Sequence, residues 1–355
     1  MALLSAVTSA LLPALTPSPA AAQPTAQALC TPADPELAEL SGLATEGDRW
    51  FAVSDGGTSL RVLVLNPADC AVLDDITADV NPYDVEDLAL AGDGALWLAD
   101  TGDNDLDRST VALHRLTPDG AASLYRMTYP DGPHDAEALL LDQAGIPYVV
   151  TKELGPARVY RPAGVLAEPG PTALEQVATV RIEPTSTPGG PVGGVGSVLV
   201  TGGAVSTDGQ LVALRTYTDA YLFSAPGGDV VAALAGVPVR IPLPDEPQGE
   251  ALALAPDGTL LSGSEGPPAS PGPAGSEGSA GSEGSAGSVG NAPIRAVPGA
   301  AALIAPPDPV QRDSAEPPPD SAAENGAAPW QAAIVAVGLA GLLALLAARR
   351  HERVR

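Results

Sequence analysis

Aromatic residues make up only 3% of the 355, and the chain has three histidines, two cysteines and one lysine, Lys152. Two cysteines are too few for a structural zinc centre of the usual Cys/His kind. No Gly-x-Ser-x-Gly elbow and no His-Glu-x-x-His occurs, so the common signatures of serine hydrolases and zinc proteases are missing. Basic residues are scarce too: 17 Lys and Arg stand against 43 Asp and Glu, a formal charge of −26. Neutralising a phosphate backbone needs clustered Lys and Arg, so nucleic acid is excluded as a partner. What is abundant is turn-forming and apolar: 39 Gly, 38 Pro and 45% hydrophobic residues, enough for a core and many tight turns.

Both ends are apolar. Met1 to Leu15 is too short to span a bilayer, and Ala20-Ala21-Ala22 offers a small-residue cleavage motif, so residues 1–28 read as a secretory leader cut between Ala22 and Ala28. Trp330 to Ala348 is nineteen residues without a charge. As a helix it covers about 28 Å, close to the roughly 30 Å of a hydrocarbon core. Four arginines against Glu352 follow in 349–355, the flank expected on the cytoplasmic side. The expected layout is a single-pass plasma-membrane protein with its N-terminus outside and its C-terminus in the cytoplasm. Residues 29–298 are its ectodomain, 299–329 a Pro/Ala-rich stalk, 330–348 the membrane helix and 349–355 a basic tail. The even cysteine pair of an exported chain predicts one disulfide, Cys30–Cys70.

Five segments share a pattern: a small or acidic residue, an apolar run, a Gly-containing turn, an apolar strand and a polar stop. Taking Ser41, Glu86, Glu137, Gly203 and Glu250 as equivalent gives spacings of 45, 51, 66 and 47 residues. Periods of about 40–50 with several short strands each are the mark of a β-propeller blade. The fold class expected is therefore all-β, a five-bladed propeller, with six blades as the alternative because Val177–Ile182 lies in the longest gap. Closure would pair an N-terminal strand with Pro293–Val297. Residues 266–290, where GSEGSA occurs twice, read as a flexible insertion in the last blade.

In a propeller the first strand of each blade lines the channel and the second runs back beside it. The start of the first and the end of the second therefore share one mouth. Glu86, Asp87, Glu137 and Glu250 start first strands; Asp55, Asp100, Lys152, Glu153, Arg215 and Glu265 end second strands. Crowded carboxylates call for a divalent cation, and calcium, which takes six to eight oxygens, is the natural one. Its candidate ligands are Glu86, Asp87, Asp100, Asp103, Glu137 and Glu250. Asp55, Lys152, Glu153, Arg215 and Glu265 are candidates for holding a ligand, and Lys152 and Arg215 suit an anionic one. His134 is the one candidate general base.

The motifs LAELSGLA at Leu37, WFAVSDGG at Trp50, YDVEDLAL at Tyr83, LWLADTGDN at Leu96, YPDGPHDAEALLLD at Tyr129 and QGEALALAPDG at Gln248 resemble those of a family of exported bacterial β-propeller proteins. More distantly, LSGL and AVSD are similar to phytase-like, esterase-like and calcium-dependent lactonase propellers. The resemblance implies calcium held by acidic residues at the channel mouth, although Ser41 and Gly203 bring no carboxylate from two blades. Two functions follow. One is a membrane-anchored binding or scaffold module for an extracytoplasmic protein or small anionic ligand. The other is a calcium-assisted hydrolase of a phosphoester or ester.

Overall fold

Short apolar runs separated by Asp-Gly and Gly turns fold into strands. The computed structural model, which describes residues 24–267 and 290–304, contains twenty of them among those residues. After β1 (Gln27–Cys30) they form antiparallel meanders. The first is β2 (Leu40–Glu46), β3 (Arg49–Ser54), β4 (Leu60–Leu65) and β5 (Val72–Ala78). The second is β6 (Val85–Leu90), β7 (Leu96–Asp100), β8 (Val111–Leu116) and β9 (Ala122–Thr128). The third is β10 (Ala136–Leu141), β11 (Pro147–Thr151), β12 (Ala157–Pro162) and β13 (Thr172–Val180). The fourth is β14 (Val200–Val205), β15 (Leu211–Thr216), β16 (Asp219–Ser224) and β17 (Val239–Pro242). The last is β18 (Gln248–Leu254), β19 (Leu260–Glu265) and β20 (Ile294–Val297), completed on its outer edge by β1. The only α-helix among the described residues is a single turn, Val230–Leu234, capped by the Asp229 side chain.

The first strands β2, β6, β10, β14 and β18 each neighbour the next, and β18 neighbours β2, so they ring a central channel. The core lies between sheets: Leu63 and Leu65 share one apolar layer with Leu261 and Ile294, and Val62 and Val64 another with Leu88 and Leu98. A sheet with two apolar faces buries both only by stacking on a neighbour each side, and rotation closes the stack. The disulfide Cys30–Cys70 is formed and joins β1, the outer strand of the last sheet, to the turn after β4 in the first. It staples the ring where the chain ends meet.

Thr172–Val180 is the outer strand of the third meander, joined to β9 of the second by a short parallel pairing at Thr172 and Ala173, and 181–199 is a connection, so the longest gap opens no further meander among the described residues. Gln27 and Ala28 pair with Ala296 and Arg295, so β1 begins inside the Ala22–Ala28 stretch where cleavage is expected. No helix among the described residues is long and apolar enough to cross a membrane. The membrane run 330–348 and tail 349–355, with most of the leader, insertion and stalk, lie outside the described residues.

Candidate functional site at the channel mouth

Each first strand carries a bulge near its start. The register slips between Leu40 and Gly42, Val85 and Asp87, Ala136 and Ala138, and Val200 and Gly202, and again between Gly249 and Leu252. A bulge re-aims the extra residue, and the extra residues are Ser41, Glu86, Glu137, Thr201 and Glu250. Thr201, not Gly203, is thus the fourth equivalent. Two of the five are hydroxyls with a structural task. Ser41 Oγ donates to the Glu86 carbonyl at 2.5 Å and Thr201 Oγ1 to the Gly249 carbonyl at 2.7 Å, each tying its strand to the next. The remaining three are glutamates.

Glu86 and Glu137 come together with Asp135: one carboxylate oxygen from each lies within 4.8 Å of the others. Oxygens around one calcium ion at 2.3–2.6 Å stand no more than about 5 Å apart, so the three fit a single ion. Glu86 is only 2% exposed, and no hydrogen-bond donor reaches its Oε1 among the described residues. Burial raises its pKa well above the ordinary carboxylate range, and Asp84, Glu137, Asp135 and Asp55 raise it further. Burial likewise raises Asp135, with the Lys152 ammonium opposing. The Lys152 ammonium rests on Glu137 Oε1 and lies 5.5 Å from the centroid of the Tyr217 ring. Gly102 forms part of the wall: a Cβ there would collide with Glu86 Oε1 and come within 2.5 Å of Asp84 Oδ2. These residues fit a divalent cation, with buried carboxyls, one oxygen lacking a donor, and a glycine wall that lets the carboxyls crowd together.

The other expected ligands are engaged elsewhere. Asp87 points into the channel, where its carboxylate accepts from the backbone N–H groups of Leu88, Leu139 and Gly203 at 2.8, 2.7 and 3.1 Å. It therefore braces three first strands and stands outside the triad. Asp103 accepts from Asp107 N and Arg108 N, so the oxygen-rich loop closes on itself. Glu250 sits at the matching bulge of the last sheet but outside the triad. Arg215 is fully buried, with every nitrogen bonded inside the protein, and offers nothing to an anion at the mouth. Asp55 is buried beside Glu86 and contributes to its field. Glu265 faces Gln248 across the last sheet.

His134 and Glu153 belong to a second cluster on the third sheet. His134 Nε2 lies 3.1 Å from both Asp131 Oδ1 and the Tyr160 hydroxyl, and Nδ1 lies 3.2 Å from the Arg158 guanidinium and 3.4 Å from Glu153. Both ring nitrogens are occupied, which leaves no lone pair facing the mouth for general-base work.

Asp100 is a hub: it accepts from Tyr83 N and Asp84 N at 3.0 Å each, from Arg108 at 2.9 Å, and contacts His114 Nε2 at 3.1 Å. Burial raises its pKa, but the His114 bond, the Arg108 charge and the two N–H donors outweigh it and bring the value to about 2. A carboxyl lowered in the folded state stabilises above its unfolded pKa, and that contribution is lost as pH falls through the folded value. Between pH 4 and 2 the chain should therefore lose about 2 kcal/mol through this residue. Asp100→Asn should flatten that segment of the stability curve measured by urea unfolding; an unchanged slope would remove Asp100 from the account.

Asp84 and Asp135 were not among the expected site residues, yet a signal for them is in the chain. Asp84-Val85-Glu86 and Asp135-Ala136-Glu137 repeat one Asp-x-Glu tripeptide at the same place in successive sheets. Each Asp stands just ahead of the first strand, which opens at Val85 or Ala136, and each Glu is the bulge residue behind it, so both carboxyls of a tripeptide enter at the same end of the channel.

A ring of antiparallel meanders around a channel, with a buried acidic mouth, defines an all-β propeller protein. No family model matches the chain, and no curated protein matches it. Solved structures similar to it are propeller-type proteins. A luciferin-regenerating enzyme is 15% identical, covering 73% of this chain and 78% of its own at a TM-score of 0.40. Virginiamycin B lyase from Staphylococcus aureus is 12% identical, covering 68% and 82% at 0.37. A gluconolactonase from Xanthomonas campestris is 16% identical, covering 63% and 69% at 0.36.

Proposed function

We propose that this chain is a membrane-anchored, extracytoplasmic five-bladed propeller that works as a binding module. Its channel mouth would take up calcium with Glu86, Asp135 and Glu137 and present it to an anionic ligand or to an acidic surface of a partner protein. The observation carrying this reading is the triad itself, three oxygens within 4.8 Å of one another with a Glu86 oxygen lacking a donor. The ring of five first strands supports the blade count. The uncharged run Trp330–Ala348 and the basic tail support the anchor.

Calcium-assisted hydrolysis of an ester or phosphoester is the second reading. What favours it is that Asp84 and Asp55, carboxyls close enough to act on the charge of Glu86 yet outside the triad, would stand beside the proposed ion as proton acceptors. Thermal melting of the full chain tests the cation in both readings. At a hundredfold excess over Kd, calcium should add about 2.7 kcal/mol of stability. Glu86→Gln and Glu137→Gln should each abolish the rise. A melt that is the same in calcium and in chelator would overturn the cation site.

A further inference from the structure

The only lysine of the chain stands among the carboxyls of the channel mouth. Asp55, Asp84, Glu86, Asp135 and Glu137 meet there, and against these five carboxyls stands one ammonium. The Lys152 side chain is 4% exposed, and its backbone N–H donates to the Asp135 carbonyl at 2.9 Å, so it is held at the same rung as the triad. Its Nζ rests on Glu137 Oε1, an oxygen of the carboxyl that completes the triad, while the Tyr217 ring lies 5.5 Å away as a second seat. The ammonium therefore holds one of the three carboxyls the cation would use, and a divalent ion and an ammonium on one carboxyl repel.

We propose that Lys152 is an internal counter-cation that competes with calcium for Glu137, so that filling the mouth with calcium frees the ammonium to hold an anion. This rests on the calcium reading above and gives that site its regulation. With calcium absent, Lys152 neutralises part of the acidic cluster and keeps the mouth closed to anions. With calcium bound, repulsion drives the ammonium off Glu137 toward the face of Tyr217, where a ring still stabilises it. The mouth then carries the ion and a free ammonium together. Calcium and anion strengthen one another's binding, and by linkage the factor is the same in both directions.

Calorimetric titration of the full chain with calcium chloride, with and without inorganic sulfate, tests this. Lys152→Met removes the competitor and should bind calcium about tenfold more tightly, the factor that corresponds to roughly 1.4 kcal/mol of ion pairing no longer displaced. Lys152→Arg, which keeps the charge, should stay within about twofold of wild type on the same scale. Sulfate should tighten calcium binding by the wild-type chain and leave Lys152→Met unaffected. If Lys152→Met does not fold, the uncharged Lys152→Gln takes its place with the same expectation, and a variant that folds only in calcium supports the proposal. Calcium binding by Lys152→Met but not by wild type also supports it. Equal or weaker binding by Lys152→Met, with wild type binding, overturns the competition and leaves the calcium site standing. No binding by either overturns both, and no sulfate effect on wild type overturns the link to anions.

Discussion

Replacing Arg215 with methionine is expected to destabilise the folded chain by about 3–5 kcal/mol, the cost of stranding a buried charge without its partner. Arg215 is the largest fully buried side chain among the described residues. Its Nη2 donates to Glu246 Oε2 at 2.6 Å, and Glu246 Oε1 accepts from Ser262 Oγ at 2.7 Å. Nη1 serves the Ala251 and Gly263 carbonyls, each at 3.0 Å, and Ser262 Oγ at 2.8 Å; Nε donates to the Thr216 carbonyl at 3.1 Å. One guanidinium thus joins β15 of the fourth sheet to β18 and β19 of the last. Methionine fills much of the volume but leaves a buried carboxylate and three carbonyls short of donors, and each such group costs about 1–3 kcal/mol. Glu246→Gln in the same chain removes the stranded charge, so the double variant should lose clearly less than the two single losses added. Urea unfolding measures all three. A single Arg215→Met chain within about 1 kcal/mol of wild type would show that the buried pair contributes little beyond its volume.

The periodicity of the chain made the architecture legible because each sheet repeats one physical problem. An apolar strand must line the channel, a Gly turn must reverse it, and a second apolar strand must return. Leu60–Leu65, Val111–Leu116 and Pro293–Val297 were readable as strands for that reason, and all three are strands, the last of them from Ile294. The outer strands were harder. Val72–Ala78 is mostly exposed, and with two aspartates in its middle it shows little of the alternation that marks a half-buried strand. At the mouth, spacing placed Glu86 and Glu137 on equivalent turns, but a bulge decides which neighbour each carboxyl meets, and bulges have no fixed signature. Hence Asp87, one residue along, faces backbone N–H groups across the channel instead of the triad. Arg215 was misplaced for a related reason. It lies one residue before the end of its strand, and that single step turns a side chain from the mouth into the interface between sheets.

Removing the disulfide by Cys30→Ser with Cys70→Ser should cost the chain about 4 kcal/mol, from the loop-closure entropy of a forty-residue span. The bond does more than restrict the unfolded chain. β1 has four residues and pairs with β20 alone, yet it supplies the outer strand that closes the last sheet on the N-terminal segment. A strand that short gains little from its own burial, since Gln27, Ala28 and Leu29 all stand exposed. Cys70, by contrast, is buried in the apolar layer between the last and first sheets, so the bond anchors a weak strand to a strong interface. Hydrogen exchange separates the two contributions. Without the bond, amides of β1 and β20 should lose protection before those of β2 and β18, because local opening becomes cheaper than global unfolding. If instead protection falls evenly over all five meanders, the bond acts only on the unfolded ensemble, and closure of the ring rests on the packing of Leu63, Leu65, Leu261 and Ile294.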